Sequence, residues 1–143
     1  MKPVKIKIDN NLNFDFFLVG IVCTDNDYKL SWKLNQLLKL DLVKHDSLEI
    51  ESEKHPLNLV FSFYFYENED EIKQFALFSN KCSDGLLIEE YKNADFIFKI
   101  SGDTDQTGVE EIVSQIKTLQ DISMVFHIPN KNLKQKTLTR FLF

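Results

Sequence analysis

The acidic side chains are the first candidates for chemistry, because carboxylates bind cations and move protons. Residues 103–108 begin like a calcium loop, with Asp at the first and third positions and Gly at the sixth. The twelfth position, where such a loop needs a bidentate Glu, is Ser114, so we predict a polar loop that leads into a helix. The acidic run at 67–71 lies between two strand-like segments, which predicts a solvated turn.

Two other carboxylates, those of Glu89 and Glu90, are adjacent in a segment that we predict to be extended. Neighbouring side chains on a strand point to opposite faces, so this pair cannot act together as acid and base. A bend after Glu90 would bring its carboxylate closer to that of Asp95. At such bends a carboxylate more often accepts backbone hydrogen bonds or pairs with a lysine.

The histidines and cysteines form no recognisable site in the sequence. His45, His55 and His127 lie far apart, and none has a second histidine four residues away. Cys23 and Cys82 form no zinc-type pair, and no signature of a neighbouring base surrounds either thiol. Glycine-rich phosphate loops are also missing from the sequence. We therefore predict no catalytic residue, no cofactor and no metal site.

Charge is distributed unevenly along the chain. Of the 17 basic residues only Arg140 is arginine, and the net charge is −5, which argues against nucleic acid as the partner. Residues 122–143 contain four basic residues and no acidic one, so this end is basic within an acidic protein. We take it as a candidate partner-binding segment. Its candidate residues are Lys131, Lys134, Lys136, Arg140, Phe141 and Phe143.

The apolar residues at 141–143 need a surface to bury them, because an exposed apolar chain end lowers solubility. They can dock on the sheet of their own domain, against a second copy of the chain, or in a groove of a partner. The lysines of the same segment leave a second possibility open, in which the basic end binds RNA or the ribosome.

The hydropathy pattern indicates one α+β domain spanning residues 1–143. Alternating or continuous apolar residues predict strands at 4–8, 14–23, 47–52, 59–66, 74–79, 86–91, 95–101 and 122–128. Helical spacing predicts two main helices, from about residue 27 to 40 and from 107 to 119, and a short one at 131–138.

The order of these elements predicts the architecture. Two βα units flank an antiparallel meander, so two helices should pack on a mostly antiparallel sheet, and a ferredoxin-like core with an inserted hairpin is one such topology. In the first helix, Leu30 and Leu34 belong to the core stripe, and Tyr28 and Trp32 should widen the buried face. Thr107 should cap the second helix, because a Glu follows three residues later.

The chain shows no feature of a membrane protein. Its longest apolar run, at 16–23, has 8 residues, far short of the ~20 that a membrane helix needs. The positively charged N-terminus is not followed by an apolar stretch of the kind found in signal peptides. We therefore predict a cytoplasmic protein whose cysteines stay reduced.

Residues 87–96 resemble the Ile-Pro-Glu … Val-Asp-Tyr signature of the IPExxVDY family, small proteins of Bacteroidota. The segments at 14–21, 27–35, 78–80 and 133–143 agree with it in order and spacing, so the resemblance extends over nearly the whole chain. Glu89, Ala94 and Phe96 stand where the signature has Pro, Val and Tyr. The resemblance implies a bacterial cytoplasmic protein and carries over no catalytic residue. It also implies that the signature is structural.

These observations favour a protein that is not an enzyme and that acts through contact with another protein or with itself as a homodimer. RNA or ribosome binding through the basic C-terminal end is the alternative.

Overall fold

The structure, a computed structural model, describes residues 15–51 and 58–142. The predicted strand at 4–8, His55 and Phe143 lie outside these residues. The strands and helices are β1 (Phe16–Cys23), α1 (Asp27–Leu38), β2 (Val43–Ile50), β3 (Leu59–Asn68), β4 (Lys73–Ser79), β5 (Lys81–Cys82), β6 (Gly85–Leu86), β7 (Phe96–Gly102), α2 (Gln106–Ile116), β8 (Ile122–Ile128) and α3 (Gln135–Thr139). Short 3-10 helices lie at Glu89–Tyr91 and Asn130–Asn132.

Six of the described strands form one antiparallel sheet in the order β2-β3-β4-β7-β1-β8. Within it, β8-β1-β7-β4 has the strand order of a ferredoxin-like βαββαβ core, with α1 after β1 and α2 between β7 and β8. The hairpin β2–β3 is inserted between α1 and β4 and extends the sheet on that side. The predicted α+β class is confirmed. The hairpin inserted into the ferredoxin-like strand order is β2–β3.

Apolar side chains cover both faces of the central strands, which explains why β1 is apolar almost throughout. On one face, called here the helix face, α1 and α2 pack on residues such as Val19, Ile21 and Phe98. The opposite face, called here the second face, carries Leu18 and Ile97. It is covered by the segment between β4 and β7 and by the C-terminal end, through Leu87, Ile88, Leu133, Leu138 and Phe141.

The first helix confirms one part of its prediction and corrects another. Leu30 and Leu34 are fully buried against the sheet, and Asn26 caps the helix by accepting a hydrogen bond from the Lys29 N–H at 2.8 Å. Tyr28 and Trp32 are 70% and 57% exposed, so the prediction that they widen the buried face was wrong. At 3.6 residues per turn, a position two residues from Leu30 lies almost opposite to it on the helix.

The second helix begins earlier than predicted. Its N-cap is Asp105, whose carboxylate accepts a hydrogen bond from the Gly108 N–H at 2.8 Å, and Thr107 already lies inside the helix. Both Asp and Thr are good N-caps, but Asp105 precedes Thr107 and carries a full negative charge, which favours the helix N-terminus. The predicted cap at Thr107 was therefore wrong.

The predicted strand at 86–91 was also wrong. Residues 81–86 form the small hairpin β5–β6, and Glu89–Tyr91 is a turn of 3-10 helix. Glu89 and Glu90 therefore do not project from opposite faces of a strand. Leu87 and Ile88, which follow this hairpin, are buried because they cover the second face of the sheet.

Gly20 provides a test of how closely the second face is packed. A Cβ at this position would lie 2.6 Å from Cζ of Phe126, on the neighbouring strand β8. We expect Gly20→Ala to lower the free energy of unfolding by about 1–3 kcal/mol, measured by urea denaturation. Gly85→Ala is the control, because there the Cβ would meet only the flexible end of Leu59 at 3.0 Å. The prediction fails if Phe126→Leu does not relieve the cost of Gly20→Ala in a double-mutant cycle.

Candidate functional site

The segment between β4 and β7, residues 80–95, is called here the connecting segment, and it is organised by the side chain of Asn80. Asn80 is fully buried. Its amide nitrogen donates to the carbonyls of Tyr91 at 3.0 Å and Ala94 at 2.9 Å, and its Oδ1 accepts from the Ile88 N–H at 2.7 Å. One side chain therefore supplies the backbone partners that an irregular buried segment needs.

Asp95, at the end of the connecting segment, joins this segment to β1. Its Oδ2 accepts a hydrogen bond from the Cys23 N–H at 3.0 Å, and its Oδ1 pairs with Lys81 Nζ at 2.9 Å. This is the arrangement expected of a carboxylate at a bend. Burial raises the pKa of the neighbouring Cys23 thiol, which keeps it protonated at neutral pH and makes it a poor nucleophile.

Glu90 connects the same segment to the C-terminal helix. Its carboxylate accepts from the backbone N–H of Lys134 at 2.9 Å and from Oγ1 of Thr137 at 3.4 Å. Lys134 is the N-cap residue of α3 and its side chain makes no capping hydrogen bond. Glu90 accepts from its backbone N–H, as the Glu of a capping box does, but from another part of the chain. The expectation that such a carboxylate accepts backbone hydrogen bonds is confirmed.

The predicted partner-binding residues of the C-terminal end fall into two groups. Arg140 turns inward and donates to the Leu87 carbonyl at 2.7 Å. Phe141 is fully buried, with its ring 5.3 Å from that of Phe78 and 6.1 Å from that of Phe16. Phe141 therefore docks on the sheet of its own domain, and Arg140 is partly buried against the connecting segment.

The lysines form the second group. Lys131, Lys134 and Lys136 are exposed, so they remain accessible to a partner. Arg140 is partly buried and engaged with backbone carbonyls, so the exposed basic side chains of this end are the three lysines.

Lys99 is a buried charged residue that the sequence analysis did not single out. It lies on β7, is 7% exposed, and donates from Nζ to the Phe141 carbonyl at 2.6 Å. Its Nζ also lies 5.2 Å from the centre of the Phe16 ring. Burial lowers the pKa of Lys99 to about 8. The available signal was a lysine in the middle of an otherwise apolar predicted strand.

The shifted pKa of Lys99 predicts a pH dependence of stability. Between about pH 8 and pH 10 the unfolded chain binds more protons at this lysine than the folded chain, so the free energy of unfolding should rise with pH. We expect the free energy of unfolding of wild type to rise relative to that of Lys99→Met as the pH rises from about 7.5 to 9.5, measured by urea denaturation. Cys23, whose raised pKa makes the free energy of unfolding fall with pH, is present in both proteins, so its contribution cancels in this comparison.

The matched control for this pH series is Lys92→Met, since Lys92 is an exposed lysine. Its difference from wild type should stay constant across the same pH range. An equal pH dependence of the two variants would contradict the assignment to Lys99.

A further group of charged residues has a structural role. Lys33 Nζ lies 2.8 Å from Asp25 and 3.5 Å from Asp121, and it donates to the Gln120 carbonyl at 3.2 Å. The side chain of Asp25 is only 4% exposed, and its hydrogen bond raises the pKa of Lys33. The contacts join α1 to the loop before β8.

An open cleft of about 660 Å³ lies where β1 begins and where β7 and β8 end. His127 is its one imidazole within the described residues, and burial lowers the pKa of this group. The ring lies 5.9 Å from that of Phe17, and no described nucleophile stands within hydrogen-bond reach of it. Among residues 15–51 and 58–142, no three His, Cys, Asp or Glu side chains are grouped so that they could hold a metal ion.

The two edge strands of the sheet differ strongly in their protection against other strands. Edges are usually protected by charged residues, prolines or bulges. β2 carries Lys44, His45, Asp46 and Glu49, and its register with β3 shifts between His45 and Leu48. It therefore has two of the usual protective features.

The opposite edge strand, β8, contains no Asp, Glu, Lys or Arg. Its register shift lies at its beginning, opposite Val22 and Cys23, so the rest of the strand is regular. None of the described strands pairs with the side of β8 that faces away from β1, called here the β8 edge. Met124, on this strand, is 51% exposed.

The fold and these contacts define an α+β protein with a ferredoxin-like strand order and a second face covered by its own connecting segment and C-terminal end. Comparison of the chain with protein-family models, with curated proteins and with solved structures found no match. No helix in the described part of the chain has the length and apolar character needed to cross a membrane.

Proposed function

We propose that this protein is an interaction module rather than an enzyme, and that it binds a protein partner along the β8 edge. The observation that carries the proposal is the difference between the two edges of the sheet. An edge that is regular and uncharged offers unpaired N–H and C=O groups to an added strand. The charges and the bulge of β2 oppose such pairing at the other edge.

The contacts of the polar residues support the non-enzymatic part of the proposal. The carboxylates of Glu90 and Asp95 accept backbone hydrogen bonds, and Lys33 and Asp25 form an ion pair. These groups stabilise the fold through partners that a substrate would have to displace. The resemblance to the IPExxVDY family and a bacterial, cytoplasmic setting belong to the same proposal, which the two free cysteines support.

RNA or ribosome binding through the basic end stays a prediction from the sequence. The inward position of Arg140 leaves three exposed lysines, which is a small number for a salt-dependent phosphate contact.

Site-specific photo-crosslinking in cells tests the proposed function. A photoreactive residue replaces either Met124, on the β8 edge, or Val43, on the β2 edge, and the two side chains are 51% and 52% exposed. We expect protein adducts from position 124 and few from position 43, because only the first edge accepts a strand. Equal adducts at both positions, or none at position 124, would contradict the proposal.

A further inference from the structure

We infer that the partner at the β8 edge is a second copy of this chain, paired antiparallel through β8 across a two-fold axis near Val125. The inference rests on the proposed function and names its partner. In this arrangement the two six-stranded sheets join into one continuous sheet, with the helices of both copies on the same side. The contact is isologous, so each surface feature must match its own copy rotated by the axis.

The apolar side chains of β8 meet this requirement. Met124 is half exposed, and Phe126 is partly buried against the second face of the sheet. An antiparallel register centred on Val125 places Met124 of one copy opposite Phe126 of the other. Each pair then covers apolar surface that the single chain leaves in contact with water.

The charges of α2 meet the same requirement on the helix face. α2 packs beside β8, and Glu110 is close enough to raise the pKa of His127 on that strand against the effect of burial. Helical spacing places Ser114 and Lys117 on the same stripe as Glu110, and all three are exposed. The stripe is therefore acidic towards the start of the helix and basic towards its end.

A two-fold axis that joins the β8 strands also sets the two α2 helices antiparallel. Glu110 of one copy then faces Lys117 of the other, and the same contact is repeated on the far side of the axis. A stripe with opposite charges at its two ends complements itself in this orientation. This charge complementarity favours a second copy as the partner. A second copy supplies a basic helix end opposite Glu110 and an acidic helix end opposite Lys117, whereas an added strand without a helix supplies neither.

Size-exclusion chromatography with light scattering over a concentration series tests the inference on the full-length chain. We expect wild type to reach twice the 16.8 kDa mass of one chain. Met124→Lys should raise the dissociation constant at least about tenfold, because a charge then lies at the centre of the contact. Val43→Lys, an equally exposed position on the other edge, should stay within about twofold of wild type.

Charge reversal tests the orientation of the two copies. Glu110→Lys and Lys117→Glu each place like charges opposite one another twice per dimer, and we expect each to raise the dissociation constant about tenfold. The double variant Glu110→Lys with Lys117→Glu restores both opposite-charge contacts, so its dissociation constant should return to within about threefold of wild type.

The outcomes separate the inference from the proposed function. A monomeric chain that still forms adducts with another protein at position 124 overturns the second copy as partner and leaves the function standing. A monomeric chain whose β8 amides are protected from hydrogen exchange by residues 1–14 overturns both, because its own chain then occupies the edge that a partner would need. The inference is also overturned if Met124→Lys leaves the dissociation constant of the dimer unchanged, or if the double charge variant has a dissociation constant as high as those of the single variants. A monomer with no adducts at position 124 overturns both.

Discussion

Asn80→Ala will lower the free energy of unfolding by about 3–5 kcal/mol, the largest effect that we expect from a single polar residue of this chain. The substitution removes three hydrogen bonds at once and leaves the Ile88 N–H and the Ala94 carbonyl unpaired in the interior, while the Tyr91 carbonyl keeps its hydrogen bond from the Ala94 N–H. Each buried group without a partner costs about 1–3 kcal/mol. Urea denaturation followed by circular dichroism measures the change.

Asn93→Ala is the matched control, because Asn93 lies in the same segment and is exposed. It should change the stability by less than about 0.5 kcal/mol. Hydrogen exchange adds a local readout, since the amide of Ile88 should lose its protection in Asn80→Ala. If Asn80→Ala is as mild as Asn93→Ala, the connecting segment does not depend on this side chain.

Phe141→Ala will cost about 3–5 kcal/mol, because the ring is fully buried between the sheet and the C-terminal end. Its removal leaves a cavity beside Phe16 and Phe78 and also loosens the chain after α3, where the Phe141 carbonyl accepts the hydrogen bond from Lys99. Chemical denaturation measures the total change in the free energy of unfolding. Hydrogen exchange of the α3 amides shows whether that change includes undocking of the helix from the sheet.

Leu142→Ala is the control for this substitution. Leu142 is the next residue and is 43% exposed, so its truncation should cost no more than about 1 kcal/mol. Equal effects at the two positions would mean that residue 141 does not provide a core contact. The comparison also decides how partner binding at this end can be tested, since a deletion that includes Phe141 would unfold the domain that it is meant to probe.

The elements with strong local signals are those that the sequence predicted well. β8 lies at the predicted residues, and β1 and α1 differ from their predictions only at their ends. Their apolar patterns reflect the surfaces that each element buries. The prediction of a strand at 86–91 was wrong because the same apolar pattern is found in a segment that pairs within a sheet and in one that packs over the face of a sheet. The deciding contacts come from Asn80, which a local pattern does not reveal.

The side chains with long-range roles were the hardest to assign from the sequence. Glu90 and Asp95 could be predicted to accept backbone hydrogen bonds, but their donors at residues 134 and 23 lie far away in the chain. Lys99 and Arg140 are charged residues of the kind expected at the surface, yet their side chains donate hydrogen bonds to backbone carbonyls. Residues 78–80, 87–96 and 133–142 meet around these contacts, although they lie far apart in the sequence.

The position of β1 in the sheet has a consequence for how the chain is made. β1 lies between β7 and β8, so Phe16 pairs with Ser101 and Leu18 with Ile128. Both partners leave the ribosome long after β1, and at roughly 5–20 residues per second the delay is on the order of 10 s. Pairing between such distant residues also slows folding. During this interval an eight-residue apolar strand has no partner, which makes the nascent chain a candidate substrate for chaperones.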